Sequence, residues 1–203
     1  MNLKLLQQYT TETSDGYLGA IKTVGSKSHE YLNDATLSKN IKQALQGVLA
    51  PELNKSDVSV RKESYSMGRS IYVTLRLDKS KYAPTRDEYK AIYVKRVQQR
   101  NLNWIHDGYG KQVRGADYSN MDDNQRRMAE EETAEMQAKW QYDIDHIDIN
   151  QYHIDKENML NEDGKELVSV ANRVIKAYNY DDSNAQVDYF DTNFYYTIRV
   201  EWK

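Results

Sequence analysis

The stretch YSMGRSIYVTLRL, residues 65–77, carries the most regular pattern in the sequence and decides the expected fold. A turn near Gly68 is followed by four apolar residues at alternate positions: Ile71, Val73, Leu75 and Leu77. A β-strand places alternate side chains on opposite faces, so this pattern predicts one apolar face and one solvated face. Val58 and Val60 alternate with polar neighbours in the same way, and residues 58–77 are therefore predicted to form a β-hairpin.

A helix is predicted before this hairpin, and the same order recurs near the C-terminus. Residues 37–49 and 165–177 repeat apolar side chains every three or four positions, which is the spacing of an amphipathic helix. The sequence VDYFDTNFYYTIRVEW, residues 187–202, then predicts a second hairpin. Two helix–hairpin units predict an α+β fold, in which one antiparallel sheet carries both helices on one face and has an acidic helical insertion. The residues expected in its core are Ile41, Leu45, Ile71, Val73, Leu75, Val170, Val174, Ile198 and Val200.

The predicted domain organisation is an N-terminal arm, residues 1–33, and a single α+β domain, residues 34–203, with the acidic insertion at residues 116–165. The arm is rich in Thr, Ser and Gly, and it is predicted either to form short strands or to be loosely attached.

Two further helices are predicted in the middle of the chain. The capping box of Thr85 and Glu88 predicts a helix start, although the β-branched continuation AIYVKRV would also suit a strand. Residues 121–141 are rich in Ala, Glu, Gln and Met, which favour a helix. Its apolar stripe is expected to be Met121, Met128, Met136 and Trp140. Residues 106–120 contain three glycines and predict a loop.

Charge is strongly segregated along the chain, although the net charge is only −3. Residues 60–115 carry 13 Lys and Arg against 5 Asp and Glu, whereas residues 116–168 carry 5 against 15. Such segments either offer two surfaces of opposite sign or partly neutralise each other within the fold.

The composition also limits the classes of protein and of site. The chain has no cysteine, which excludes disulfides, thiolate zinc sites and cysteine nucleophiles and fits a reducing compartment. It has no apolar run of the roughly 18 residues that span a bilayer, and its first residues lack the pattern of a secretory signal. A cytoplasmic protein with no membrane partner is therefore expected.

Four short segments carry a resemblance to a known family: SVR (59–61), YSMG (65–68), SIYV (70–73) and DYFDTNFY (188–195). They resemble the large polyvalent protein-associated domain of phage and plasmid proteins, which also occurs in small stand-alone proteins of mobile elements. The resemblance implies a protein that acts inside a bacterial host cell, where counteracting host defence is a common task. It supplies no catalytic motif, and the acidic insertion lies outside it.

The basic segment interleaves Lys and Arg with tyrosines, and it is the expected binding region. Cations that contact phosphates beside rings that stack on bases are typical of single-stranded nucleic-acid binding. Tyr and Arg together are also typical of protein interfaces, and an ordinary solvated surface is the third interpretation. The residues predicted to bind a partner or nucleic acid are Arg61, Tyr65, Arg69, Arg86, Lys90, Arg96 and Arg100.

Two acidic features each have a functional and an ordinary interpretation. The helix at 121–141 would suit imitation of nucleic-acid phosphates, but Glu130, Glu131 and Glu132 surround it rather than form a stripe, which favours a solvated helix. The segment DIDHIDINQYHID, residues 143–155, offers Asp and His side chains for a metal ion or a docking motif. Its alternation of Ile and Asp favours a solvated edge strand instead. Neither a metal nor another cofactor is expected.

These observations favour a non-enzymatic inhibitor of a bacterial defence system, encoded by a phage or mobile element and similar in role to anti-CRISPR proteins. Its expected partner is a host defence ribonucleoprotein or another nucleic-acid enzyme. One alternative is a nucleic-acid-binding or metal-dependent nucleic-acid-processing protein that acts on RNA or DNA directly, and another is an accessory interaction module with no inhibitory role. The sequence has no glycine-rich phosphate loop, nucleophile elbow or H-E-x-x-H motif, but a nuclease site of dispersed Asp, Glu and His residues would lack a local motif.

Overall fold

The structure of the chain is a computed structural model, and it describes residues 1–32, 34–66, 68–99, 104–106, 112–114 and 119–203. Its helices in this part of the chain are α1 (Leu3–Leu6), α2 (Asp34–Val48), α3 (Lys79–Tyr82), α4 (Arg86–Gln99), α5 (Asp123–Tyr142) and α6 (Glu162–Ala177). The strands are β1 (Thr11–Asp15), β2 (Ile21–Gly25), β3 (Val58–Tyr65), β4 (Gly68–Leu77), β5 (Trp104–His106), β6 (Gln112–Arg114), β7 (His146–Ile149), β8 (Tyr180–Asp181) and β9 (Tyr195–Trp202).

Two compact units divide the chain, and each is described by itself. The first unit comprises Met1–Lys81, His146–Glu157 and Glu162–Lys203, and the second comprises Tyr82–Asp145 and Asn158–Asn161. Residues 1–33 were predicted to form an arm that is separate from a domain at residues 34–203. Whether these two parts fold independently stays a prediction. In the structure, residues of both parts belong to the first unit.

The main sheet of the first unit has four strands in the order β3-β4-β9-β7. β3 and β4 form the predicted antiparallel hairpin, and β7 is an antiparallel edge strand beside β9. β9 runs parallel to β4, with Val73 opposite Ile198 and Leu75 opposite Val200. The α+β class is confirmed, and the sheet is mixed rather than antiparallel.

The second predicted hairpin, at residues 187–202, is wrong because its first strand does not form. Residues 185–187 make a 3-10 turn instead, and Asp188 has a left-handed φ of 57°. The Asn184 side chain accepts the Gln186 N–H, a local hydrogen bond that competes with an extended strand. The second strand of the predicted hairpin does form, as β9. It pairs with β4 rather than with the residues that directly precede it in the sequence.

The core of the first unit lies between the apolar face of this sheet and two helices. α2 packs against β3 and against α6, so both predicted helices cover the same core. All nine residues predicted for the core are buried, which confirms that part of the prediction. Burial of one Leu, Ile or Val side chain stabilises a fold by about 1.5–3 kcal/mol, so this cluster supplies much of the driving force.

A second sheet of the first unit joins β1, β2 and β8 in antiparallel order. Of the two predicted states of residues 1–33, the structure therefore contains the short strands. Gly25 lies so close to the end of α6 that an added Cβ would sit 2.3 Å from the carbonyl oxygen of Ala177. Only glycine fits this approach, and it fixes β2 against the helix.

The second unit is built around two packed helices, α4 and α5. The predicted capping box at the start of α4 is confirmed: Thr85 Oγ1 accepts the Glu88 N–H, and the Glu88 carboxylate accepts the Thr85 N–H. The Thr85 N–H and the Thr85 hydroxyl both donate to the Glu88 carboxylate, and these two hydrogen bonds lower the pKa of the Glu88 carboxyl. The strand alternative for AIYVKRV is wrong, because α4 continues to Gln99. Part of the predicted loop at 106–120 is also wrong, since β6 pairs with β5.

Candidate functional site

The main sheet of the first unit has a second face that carries polar and aromatic side chains. Strand alternation places them there, and the pairing sets Arg61 opposite Tyr72 and Tyr72 opposite Thr197. The name polar sheet face is used below for the side chains of Arg61, Glu63, Tyr65, Tyr72, Thr74, Arg76, Asp148, Tyr195, Thr197, Arg199 and Glu201.

Three tyrosines on the polar sheet face keep large parts of their rings exposed. The exposed fractions are 47% for Tyr65, 40% for Tyr72 and 47% for Tyr195. Tyrosine presents a broad apolar ring with a hydroxyl at its tip, and it makes contacts with little loss of side-chain entropy. The face therefore offers several aromatic contact points on rigid strands.

Two of the arginines on this face are held in ion pairs. Arg199 donates through Nε and Nη2 to the two oxygens of Asp148, at 2.7 and 3.1 Å, and Arg76 Nε donates to Glu201 at 3.0 Å. The hydrogen bonds and positive charge of Arg199 lower the pKa of the Asp148 carboxyl. Exposed pairs of this kind contribute about 0–1 kcal/mol to stability, so their main effect is to fix the positions of the four side chains.

Arg61 differs from these two arginines. Its side chain is exposed, and it forms no ion pair with any residue in the described part of the chain. A surface depression of about 420 Å³ is lined by Arg61, Tyr72, Thr197 and Arg199, together with the carboxylates of Asp148 and Glu201, which are already paired with arginines. An unneutralised guanidinium beside an exposed ring is suited to bind an acceptor group, such as a carboxylate or a phosphate, next to a planar group that stacks.

The predicted binding residues fall into both units. Arg61, Tyr65 and Arg69 lie on the β3–β4 hairpin of the first unit. Arg86, Lys90 and Arg96 lie on α4 in the second unit. The side chain of Arg96, and Arg100 altogether, lie outside the described residues.

Lys90 is not a free cation, because its Nζ lies 3.2 Å from Glu135 Oε2. This pair joins the basic segment to the acidic helix. It supports the interpretation that the two oppositely charged segments neutralise each other in part, at least where α4 packs against α5.

Most side chains of the acidic helix α5 are exposed, which confirms the solvated helix that its charge spacing favoured, but its predicted apolar stripe is wrong. Met128, Met136 and Trp140 are exposed, the last by 69%. The buried side chains of α5 are Ala129, Thr133, Ala134 and Ala138. Small residues let α5 approach the bulky rings of α4, where the Tyr89 and Tyr93 hydroxyls both donate to Gln141 Oε1.

The segment at 143–155 is in part the predicted edge strand. β7 spans His146–Ile149, buries Ile147 and Ile149, and directs Asp148 to the polar sheet face, where Arg199 binds it. Among the described residues, no group of three His, Asp or Glu side chains is arranged to hold a metal ion. The expectation of no metal stays a prediction.

Of the polar sheet face, only Arg61 and Tyr65 were among the predicted binding residues. Tyr72, Tyr195 and Arg199 were not among them, although Tyr72 lies in the basic, tyrosine-rich segment. The alternation in residues 65–77 and 195–202 assigns them to solvated faces. It does not show that parallel pairing of β4 with β9 sets those faces side by side. The sequence therefore indicated the solvated face of each strand, but it did not indicate that the two strands are neighbours in the sheet.

Within the described ranges, no helix combines the length and the apolar character that a membrane span requires. Comparisons of the chain with protein families, with curated proteins and with solved structures found no match.

Proposed function

We propose that this chain is a non-enzymatic inhibitor, encoded by a phage or mobile element, that binds a nucleic-acid-handling defence complex in the cytoplasm of a bacterial host. The observation that carries the proposal is the polar sheet face, where the unneutralised Arg61 lies among exposed tyrosines. Its partner is a defence ribonucleoprotein or a related nucleic-acid enzyme.

The chemistry of this face supports a protein interface. Tyr and Arg are the residues that most often dominate binding energy at interfaces, and here they project from strands rather than from mobile loops. The ion pair of Arg199 with Asp148 holds the neighbouring side chains in place before binding, which lowers the entropic cost of association. The resemblance of residues 59–61, 65–68, 70–73 and 188–195 to a domain of phage and plasmid proteins supports the bacterial setting.

The test is an interference assay in bacteria that carry a defined CRISPR or restriction system and express this chain. Wild type should restore plasmid or phage survival and should copurify with the defence complex. An Arg61→Glu/Tyr72→Ala double variant should lose both effects, because it removes the cation and the adjacent ring. Lys4→Glu is the control, since it reverses an exposed charge of the same unit away from the sheet.

Loss of inhibition only in the double variant supports the proposal. Equal inhibition by the double variant and wild type would place the functional surface elsewhere. No inhibition by wild type across a broad panel of defence systems would contradict the proposed activity.

A second candidate is direct binding of single-stranded RNA or DNA on the same face. Three exposed tyrosines and Arg61 on one sheet surface suit stacking of bases beside phosphate contacts. Fluorescence anisotropy of labelled oligonucleotides tests this candidate. Salt-sensitive binding that the Arg61→Glu/Tyr72→Ala variant loses would favour it, and cleavage that requires Mg²⁺ or Mn²⁺ would indicate a processing enzyme.

A further inference from the structure

A cavity of about 320 Å³ opens on the first unit beside the start of β9. Its walls include five aromatic side chains, and its lining also contains a single carboxylate, that of Asp181. We call it the aromatic cavity and define it by Tyr152, Asp181, Phe190, Thr192, Phe194 and Tyr195.

Part of the aromatic lining faces solvent. Tyr152 is 73% exposed and Phe190 is 58% exposed, whereas Phe194 is buried. Large apolar side chains grouped around a cavity at a protein surface mark binding sites more often than isolated ones do. The side chains of Tyr152 and Phe190 are therefore accessible to a ligand.

The surrounding segment is acidic. Residues 180–192 contain four aspartates and neither lysine nor arginine. Asp182 accepts the Tyr17 N–H and lies 3.9 Å from Lys22, and Asp191 accepts hydrogen bonds from two tyrosine hydroxyls. Asp181 uses one oxygen, Oδ1, to accept the Ser183 N–H, and among the lining residues it meets no cation.

We infer that the aromatic cavity binds the guanidinium group of an arginine side chain from a partner protein. The faces of Tyr152 and Phe190 attract a cation through their π electrons, and the Asp181 carboxylate accepts hydrogen bonds from it. A planar guanidinium stacks on rings and keeps its charge when it leaves water more readily than a strongly hydrated ammonium. The four aspartates would repel a nucleic-acid backbone, so the charge favours a protein partner.

This inference does not depend on the proposed function, because it concerns another surface of the same unit. Tyr195 borders both surfaces, so the tests leave it unchanged. A partner engaged through the polar sheet face would gain a second contact here if it also presented an exposed arginine.

The experiment titrates the isotope-labelled full chain with the peptide Ac-GRGRG-NH₂ and follows amide chemical shifts. The same peptide with citrulline in place of arginine has nearly the same shape without the charge, and Ac-GKGKG-NH₂ carries an ammonium instead. The arginine peptide should shift amides around residues 151–152 and 181–195. The lysine peptide should bind several-fold more weakly, and the citrulline peptide should produce no saturable shift.

Two variants test the named groups. Asp181→Asn keeps the oxygen that accepts the Ser183 N–H, and Phe190→Ala removes an exposed ring, so both variants should stay folded. Each should weaken binding of the arginine peptide by roughly 3- to 30-fold, and Phe190→Tyr should restore it because the ring face is retained. Asp143→Asn and Trp140→Ala, which change an exposed carboxylate and an exposed ring of the second unit, should leave binding unchanged.

Equal binding of the arginine and citrulline peptides to wild type would overturn the inference, whatever the variants do. So would shifts that map to other residues, or full retention of binding by Asp181→Asn and Phe190→Ala. Binding of single-stranded RNA at these residues, with no response to the arginine peptide, would also overturn it.

Discussion

Helices α5 and α6 both pack along their length within their own units, but they bury different kinds of side chain. α6 buries Leu167, Val170, Val174 and Ile175 against a core that also includes the main sheet. α5 buries alanines and a threonine and leaves Met136 and Trp140 exposed. The difference shows that the shape of the opposing surface, rather than hydrophobicity alone, selects the buried face of a helix.

The opposing surfaces explain this choice. The sheet face that α6 helps to cover is made of aliphatic side chains, and branched side chains of α6 fill the space above it. α4 presents two tyrosine rings to α5, and Tyr89 is only 1% exposed. Rings of that size leave room for methyl groups but not for Met or Trp, so α5 turns its alanine face inward.

The largest effect in this comparison is expected for substitution of Leu167 on α6. This side chain is 1% exposed, and Leu167→Ala should lower the free energy of unfolding by about 2–5 kcal/mol, because it loses apolar burial and leaves a cavity. Urea unfolding followed by circular dichroism measures the change. An effect below about 1 kcal/mol would show that α6 does not depend on close packing.

Ala134 provides the converse test on α5. The side chain is fully buried, so Ala134→Leu should destabilise by about 1–3 kcal/mol despite the added hydrophobic area, because the larger group overfills the space beside α4. Hydrogen exchange of α5 amides should accelerate in the same variant. A gain in stability would mean that the alanine face is loosely packed and that the explanation given above is wrong.

A charge contribution to the stability of the first unit, which contains α6, is testable by changing the pH. Lys203 Nζ lies 2.7 Å from the nearly buried Asp57 carboxylate, and its hydrogen bond lowers the pKa of Asp57. A carboxyl whose pKa is lower in the folded state stabilises the fold above its unfolded pKa of about 3.9. That stabilisation is lost as the pH falls through the folded pKa.

Asp57→Asn should therefore lower stability at pH 7 by about 1 kcal/mol, which is the usual size of one charged hydrogen bond discounted for the exposure of Lys203. It should also reduce the decline in the urea midpoint below pH 4. Asp143→Asn is the control for an exposed carboxylate. If the urea midpoints of wild type and Asp57→Asn declined equally below pH 4, the ion pair of Asp57 would not contribute to the stability of the fold.

The smallest effect is expected for Trp140→Ala. Since 69% of this side chain is exposed, its loss should change the unfolding free energy by no more than about 0.5 kcal/mol. Thermal and urea unfolding of the variant check this value. A loss above about 1.5 kcal/mol would show that the exposed stripe of α5 supports the fold after all.

The sequence predicted the parts of the fold that depend on local periodicity. Alternation from Ile71 to Leu77 identified β4 and its buried face, and the capping box at Thr85 located the start of α4. The direction of β9 was not predictable in this way, because alternation is the same for parallel and antiparallel pairing. The prediction of the buried face of α5 was wrong for a related reason, since that face depends on the tyrosines of another helix.

The candidate site was likewise predictable where it depends on local sequence and not where it depends on contacts between distant residues. Arg61 and Tyr65 were identified from the basic, tyrosine-rich composition of their segment. Arg199 was not, because residues 51 positions apart supply the two sides of its ion pair with Asp148. Part of the aromatic cavity is formed by a segment that was predicted to be a hairpin. The prediction failed because side chain–backbone hydrogen bonds around Asn184 replace the expected strand.

The parallel pair of β4 and β9 also has a consequence for the order in which the chain folds. Residues that meet across this pair lie about 125 positions apart, as Arg76 and Glu201 do. Closing so long a loop is entropically costly, and proteins dominated by such distant contacts fold slowly. We expect the β3–β4 hairpin to form early and to wait with one backbone edge unpaired until β9 arrives. During that interval β4 is the segment most exposed to mispairing with a second chain.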